Sequence, residues 1–189
     1  MARCYSGAVS KRHSLSGNAA VPRVWLLSDA RNDAVLARAI RRLPRGSGVI
    51  FRHYHLDPAA RAARFAALRK LGRTRGLVLV LAGSAALAKR WGADGAYGDA
   101  TTLGRRTGGL RLATAHGPRE LRRAAGADAV LLSPVHATRS HPGGRVLGPL
   151  RFQLLARLSR RPVIALGGMT ARRAARLQCH GFAAIDGLS

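Results

Sequence analysis

Short apolar runs recur along the chain, and the stretches between them carry helix signals. The runs lack the strict alternation of a half-exposed strand, which is typical of parallel strands buried on both faces. We therefore predict eight strands, at Arg23–Leu27, Val49–Phe51, Leu77–Leu81, Ala96–Tyr97, Leu110–Ala113, Ala129–Leu132, Pro162–Ala165 and Phe182–Ile185.

The intervening stretches predict helices, and one of them has a clear start signal. Asp57-Pro58 places a capping side chain before a first-turn proline, which is the favoured order. The segment from Asp99 to Gly109 is predicted to be irregular. The predicted helices are Asn32–Leu43, Pro58–Leu71, Ala85–Trp91, Pro118–Ala125, Pro149–Leu158 and Thr170–Gln178.

Strands that alternate with helices in this way favour a (β/α)₈ TIM barrel of the α/β class over a doubly wound sheet. We assign residues 21–189 to this single domain. Residues 1–20 are rich in Ser, Arg and Gly, and we interpret them as a disordered N-terminal extension or an over-long start.

The loops after the predicted strands carry most of the candidate chemistry. A barrel places the carboxyl ends of all its strands on one rim. This rim would bring together Arg52, His116, Gly167-Gly168 and the loop from Ser133 to Arg145. Loops of that length are usually functional, and this one is rich in His, Arg, Ser and Thr.

The composition changes the picture mainly through charge. The formal net charge is +25, and 30 of the 33 basic residues are arginine. Arginine neutralises phosphates, but here it is spread through every segment, without zinc-finger spacing or an RNA-binding aromatic pattern. We expect non-specific attraction to polyanions and no specific nucleic-acid partner.

Other features of composition point to a cytoplasmic protein. The two cysteines, Cys4 and Cys179, form no metal-like pair and are expected to be reduced. No apolar run approaches the roughly 20 residues that span a bilayer, so no membrane association is predicted.

Four motifs, taken together in order, resemble the thiamine phosphate synthase and TenI family. They are Gly92–Gly95, Ala115-His116, the stretch from Gly126 through Ser133-Pro134-Val135 to His141, and Ala165–Met169. The resemblance covers about Val24 to Ile185 and implies a (β/α)₈ barrel, here without the usual last helix. It implies an enzyme of thiamine biosynthesis that joins hydroxymethylpyrimidine diphosphate to thiazole phosphate and releases pyrophosphate.

Two alternatives remain open beside this synthase-like function. One is a TenI-like thiazole tautomerase, and the other is a noncatalytic barrel that binds a phosphorylated ligand. The implied partners are phosphorylated pyrimidine and thiazole small molecules, and assembly into a homo-oligomer is left open.

The resemblance also implies roles for individual residues. Arg52 keeps the arginine of the family's second-strand motif, and Gly167-Gly168 matches its thiazole-phosphate loop. The loop after the sixth strand matches a Thr-x-Thr-Lys clamp, with a histidine in place of the lysine. The implied substrate- and phosphate-binding residues are Arg52, Thr114, Thr138, Arg139, Ser140, Gly167 and Gly168, and the candidate catalytic residues are His116, His136 and His141.

The family's magnesium site has no clear counterpart. Its Asn-Asp pair corresponds to Ala82-Gly83, and Asp99 is not predicted to replace the second metal carboxylate. Mg²⁺ is therefore expected from the family, whereas its ligands are predicted to be lost, and we assign no metal ligands. Four histidines, His53, His55, His116 and His141, are not placed within ligand distance of one another by the sequence.

Overall fold

The predicted apolar runs form eight parallel strands, which close into a barrel in their order along the chain. The computed structural model describes residues 21–139 and 143–188, so the prediction for residues 1–20 lies outside the described residues. The barrel confirms the predicted fold. The strands are β1 Val24–Leu27, β2 Gly48–Phe51, β3 Val78–Ala82, β4 Gly95–Gly98, β5 Leu110–Ala115, β6 Ala129–Leu132, β7 Val163–Leu166 and β8 Gly181–Ala184.

Helices follow the first seven strands and surround the barrel. The α2 start is as the sequence predicts, because the Asp57 carboxylate accepts hydrogen bonds from the N–H groups of Ala59 and Ala60 at 2.9 Å. The helices are α1 Asp33–Arg42, α2 Pro58–Thr74, α3 Ala85–Arg90, α4 Ala100–Leu103, α5 Pro118–Arg123, α6 Gly148–Arg157 and α7 Ala171–Ala174.

Inward-facing side chains fill the barrel. Trp25 is fully buried and its indole N–H donates to the Pro22 carbonyl at 2.7 Å. Gly48 on the neighbouring strand makes room for the ring, since a Cβ there would lie 2.2 Å from it. Outward-facing strand residues such as Leu26, Val49 and Phe51 pack against the helices in a second apolar layer. The barrel interior is therefore packed with apolar side chains, and the loops of the carboxyl-terminal rim lie at one end of this core.

Two helical segments differ from the prediction. The expectation that residues 99–109 are irregular is wrong in part, because Asp99 starts α4 by accepting hydrogen bonds from the N–H groups of Thr101 and Thr102 at 2.8 Å. The helix predicted from Thr170 to Gln178 is regular only from Ala171 to Ala174.

After β8 the described residues form a 3₁₀ turn at Asp186–Leu188. No helix in the part of the chain that the structure describes has the length and apolar character needed to cross a membrane.

Candidate active site

A cavity of about 940 Å³ opens at the carboxyl ends of the strands. It lies on the predicted rim, and the loops after β2 to β8 contribute to its wall. Ser140 and His141 lie outside the described residues, and His136 is not among the residues that line the cavity. The predicted site residues that line it are Arg52, Thr114, His116, Thr138, Arg139, Gly167 and Gly168.

Arg52 is held on one side of the cavity by its backbone and by its side chain. Its N–H donates to the buried hydroxyl of Ser28 at 2.8 Å, and its guanidinium lies 3.4 Å from a carboxylate oxygen of Asp29. Burial raises the pKa of Asp29, but hydrogen bonds from Arg31 and the charges of Arg31 and Arg52 lower it overall. Asp29 is therefore ionised at neutral pH and partly neutralises Arg52.

Arg61 of α2 anchors the backbone around Arg52 from outside the barrel. Its guanidinium donates to the carbonyl oxygens of Arg52 at 2.9 Å and Ala82 at 2.7 Å. The group also lies over the rings of Tyr54 and Trp91, with its central carbon 5.3 Å and 5.5 Å from their centroids. These contacts join the ends of β2 and β3, so the backbone that presents Arg52 is well anchored.

His116 lies at the end of β5 and has an oriented ring. Its Nδ1 is 2.9 Å from the Ser133 carbonyl oxygen, which can only accept a hydrogen bond, so Nδ1 carries the proton. The carboxylate of Glu120 accepts a hydrogen bond from the backbone N–H of His116 at 2.7 Å. When the imidazole is neutral, Nε2 therefore has a lone pair that can accept a hydrogen bond or a proton.

The Gly167-Gly168 loop packs tightly against the loop after β6. Both glycines have positive φ angles, 100° and 58°. A Cβ at Gly167 would lie 2.7 Å from Pro134, and one at Gly168 would lie 2.5 Å from the Ala137 carbonyl oxygen. The His136 N–H donates to the Gly167 carbonyl at 3.1 Å, and the Arg173 guanidinium donates to the Gly168 carbonyl. Glycine is therefore required here both by backbone conformation and by space.

Arginines outnumber acids around the cavity. Arg139, Arg145 and Arg173 line it in addition to Arg52. The acids among its described lining residues are Asp99 and Asp186, and Asp186 lies 3.6 Å from the Arg31 guanidinium. This excess of positive charge, with nearby threonine hydroxyls, suits phosphate groups on a ligand.

His136 differs in position from His116, because only His116 of the two lines the cavity. Burial lowers its pKa, and the charge of Arg173 lowers it further, so the imidazole is neutral at neutral pH. Because it does not line the cavity, its arrangement gives no direct support for a tautomerase that uses it as a base.

The described cavity residues offer few of the oxygen ligands that magnesium prefers, chiefly the carboxylates of Asp99 and Asp186. Ala82 and Gly83 at the end of β3 provide no ligand side chain. Asp99 lines the cavity, but its Oδ1 caps α4 and its Oδ2 accepts the Thr102 hydroxyl at 2.6 Å. Within residues 21–139 and 143–188, the one close group of three metal-ligand side chains, Asp33, His53 and His55, lies elsewhere.

Tyr97 and Arg173 are among the cavity residues that sequence reasoning missed. Tyr97 faces inward from β4 and forms part of the floor, where burial raises its pKa to about 12. Arg173 lies in α7, whose start is capped by the Thr170 hydroxyl. Its position, three residues after that cap and close behind Gly167-Gly168, is the signal that would have indicated it.

Comparison with known proteins is consistent with this geometry. A family model described as thiamine monophosphate synthase matches residues 26–188. No curated protein sequence matches the chain significantly.

Several solved structures share the fold. Thiamine phosphate pyrophosphorylase from Pyrococcus furiosus aligns with a TM-score of 0.73 and 19% identity, over 86% of this chain and 85% of its own. The corresponding protein from Bacteroides thetaiotaomicron gives 0.57 and 16%, over 87% and 83%. Citrate synthase SbnG gives 0.58 and 12%, over 88% and 86%. At these identities the structural likeness concerns the barrel alone.

Proposed function

Because the chain belongs to the thiamine monophosphate synthase family, we propose that it joins hydroxymethylpyrimidine diphosphate to thiazole phosphate and releases pyrophosphate. The observation that carries this proposal is the arginine-rich cavity at the carboxyl end of the barrel. The reaction forms a bond between the thiazole nitrogen and the pyrimidine methylene carbon. It breaks the bond between that carbon and the diphosphate oxygen, and the electron pair leaves with pyrophosphate.

Two groups of cavity residues suit the two phosphorylated substrates. Arg52, Thr138 and Arg139 would bind the diphosphate, since a guanidinium fork can contact two phosphate oxygens at once. Gly167, Gly168 and Arg173 would bind the single phosphate of the thiazole. Glycine leaves the backbone accessible to an anion, and Arg173 adds charge at the same loop.

The cationic wall would also act during bond breaking. Negative charge develops on the pyrophosphate as the carbon–oxygen bond breaks, and preorganised arginines stabilise that charge more than they stabilise the bound substrate. Neutral Tyr97 and the oriented ring of His116 add polar groups that can contact the pyrimidine. The position of these side chains at the cavity supports the assignments.

Condensation by this chain should be slow and largely independent of magnesium. The positions that correspond to the family's Asn-Asp pair hold Ala82 and Gly83, and Tyr54 corresponds to the lysine. Losing several kcal/mol of leaving-group stabilisation slows a reaction by several powers of ten, at about 1.36 kcal/mol for each factor of ten. Arginine charge compensates only in part, because Asp29 pairs with Arg52.

The direct test is to mix the purified full chain with both substrates and measure thiamine phosphate and pyrophosphate, with magnesium and with chelator. We expect equal amounts of the two products, formed slowly under both conditions. Absence of product under all conditions would exclude the synthase activity.

Arg52→Ala should weaken pyrophosphate binding at least tenfold, since a charge-assisted contact contributes about 1.5–3 kcal/mol. Substitution of the exposed Arg41 by Ala is the matched control, and this variant should bind pyrophosphate like wild type.

A cytoplasmic location remains a prediction, and assembly into a homo-oligomer stays open, as the sequence analysis left it. Fractionation of the source cells and measurement of molecular mass in solution would test them.

A further inference from the structure

Three potential metal-ligand side chains come together outside the cavity. Asp33 lies in the first turn of α1, and His53 and His55 lie in the connection between β2 and α2. Their ligand atoms are all within 4.8 Å of one another, and none of the three side chains lines the cavity. The sequence did not indicate this group, because Asp33 is distant from the two histidines along the chain.

The His53 side chain is fixed in this group. It is 1% exposed, and its ring stacks on Phe51 with centroids 4.6 Å apart and an angle of 18° between the planes. Its φ angle is 37°, in the left-handed region that residues other than glycine rarely adopt. The surrounding structure therefore holds this imidazole in one orientation.

The two ring nitrogens of His53 have very different surroundings. Nδ1 lies 2.8 Å from the hydroxyl of Ser28, which also accepts the Arg52 N–H. Nε2 is buried and 2.8 Å from a carboxylate oxygen of Asp33, yet it makes no well-directed hydrogen bond within the described part of the chain. A buried nitrogen so close to a carboxylate oxygen is repelled by it unless the nitrogen carries a proton or both atoms bind the same cation.

This arrangement matches the surroundings of a metal-ligating histidine. Such a histidine usually donates from its second nitrogen to a fixed acceptor, and Ser28 can accept from Nδ1. Nε2 is then unprotonated and directed toward Asp33, where an ion could lie. His55 is exposed, so the group is accessible from solvent on one side.

We propose that Asp33, His53 and His55 bind one zinc-like divalent cation, with water as a fourth ligand. Two imidazoles and one carboxylate are a typical ligand set for an open zinc site. Magnesium prefers oxygen ligands and does not suit this set.

Arg64 limits the affinity of the site. Its guanidinium donates to the same Asp33 oxygen at 2.6 Å and 3.0 Å. A guanidinium that donates to the Asp33 carboxylate orients it, but the positive charge of the guanidinium opposes the cation. Removing Arg64 should therefore strengthen metal binding, whereas removing any of the three ligands should weaken it.

The experiment measures zinc affinity of the full chain by competition with a chromogenic chelator, using zinc chloride as the probe. Loss of an outer-shell partner typically weakens metal binding 10- to 100-fold, so loss of a ligand should weaken it at least tenfold. We expect that weakening in His55→Ala and in Asp33→Asn, whose side chains are not fully buried. His180→Ala, which removes a histidine bonded to the Val21 carbonyl, is the matched control and should bind like wild type.

A second measurement, of the absorption spectrum with cobalt(II), identifies the ligands independently of affinity. Cobalt(II) bound by two imidazoles, a carboxylate and water should give a visible absorption band, which His55→Ala should lose. Far-ultraviolet circular dichroism and the melting temperature establish that each variant is folded. Equal zinc affinity in wild type, His55→Ala and Asp33→Asn would show adventitious binding, for example at Cys4 or His13, and would overturn the proposal. Weaker binding by Arg64→Ala would contradict the proposed position of the ion.

Discussion

Arg52 is constrained at three points before any ligand binds. Ser28 accepts its N–H, Arg61 donates to its carbonyl oxygen and Asp29 pairs with its guanidinium. A side chain that is already ordered loses less conformational entropy on binding, which favours affinity. The pairing with Asp29 acts in the opposite direction, because a phosphate must compete with a carboxylate. The balance suits a group that binds pyrophosphate and also releases it.

Tyr97 provides a prediction about pH. A tyrosine in the unfolded chain has a pKa of about 10, whereas burial raises the pKa of folded Tyr97 to about 12. The stability that this difference contributes is fully present below pH 10. It is lost as pH rises from 10 to 12, because the unfolded chain ionises first. Two pKa units correspond to about 2–3 kcal/mol in total.

The measurement is the urea unfolding midpoint of wild type and Tyr97→Phe between pH 8 and pH 11. Wild type should lose more stability than the variant above pH 10, since phenylalanine cannot ionise in the unfolded state. Parallel curves over the whole range would show that Tyr97 ionises alike in both states.

Among the structural elements, the Gly167-Gly168 loop and the loop after β6 form one packed unit. A prediction follows for Gly168→Ala, compared with Gly46→Ala. Both glycines have positive φ, 58° and 77°, so both substitutions carry left-handed strain of about 1–2 kcal/mol. A Cβ at Gly46 meets no atom within 4 Å, whereas one at Gly168 meets the Ala137 carbonyl at 2.5 Å.

Gly168→Ala should therefore destabilise the protein more than Gly46→Ala, and it should also weaken inorganic phosphate binding by displacing the loop. Chemical denaturation gives the first quantity and calorimetry the second. If the two variants lose equal stability and bind phosphate equally, the loop is neither tightly packed nor a phosphate site.

The strands were predictable, whereas the short helices and much of the site were not. Runs such as Ala129–Leu132 are apolar on both faces because barrel strands contact the interior on one side and helices on the other. The single turn α4 depends on local hydrogen bonds of Asp99, which no periodicity reveals. The group of Asp33, His53 and His55 depends on a left-handed residue in a loop, and so it could not be found from spacing.

At the level of the whole molecule, the net charge of +25 acts on every anion, whether or not it enters the cavity. Two kinds of binding must therefore be distinguished. Duplex DNA would contact arginines on the surface and release condensed counterions, so its affinity should fall steeply with salt. Pyrophosphate would contact partly buried groups such as Arg52, where screening by salt is weaker.

We predict that raising salt from 50 mM to 200 mM weakens binding of an unrelated 20-base-pair duplex by at least about a hundredfold, as expected for several phosphate contacts. Pyrophosphate binding should weaken by less than about tenfold, because this ligand contacts only a few charged side chains in a cavity that partly excludes screening ions.

Arg52→Ala should reduce pyrophosphate binding without changing DNA binding, and this difference would distinguish binding in the cavity from binding on the surface. Fluorescence anisotropy with two duplexes of different sequence measures DNA binding, and calorimetry measures pyrophosphate binding. A strong preference for one duplex would contradict non-specific binding. A parallel loss of both ligands in Arg52→Ala would mean that the cavity itself binds nucleic acid.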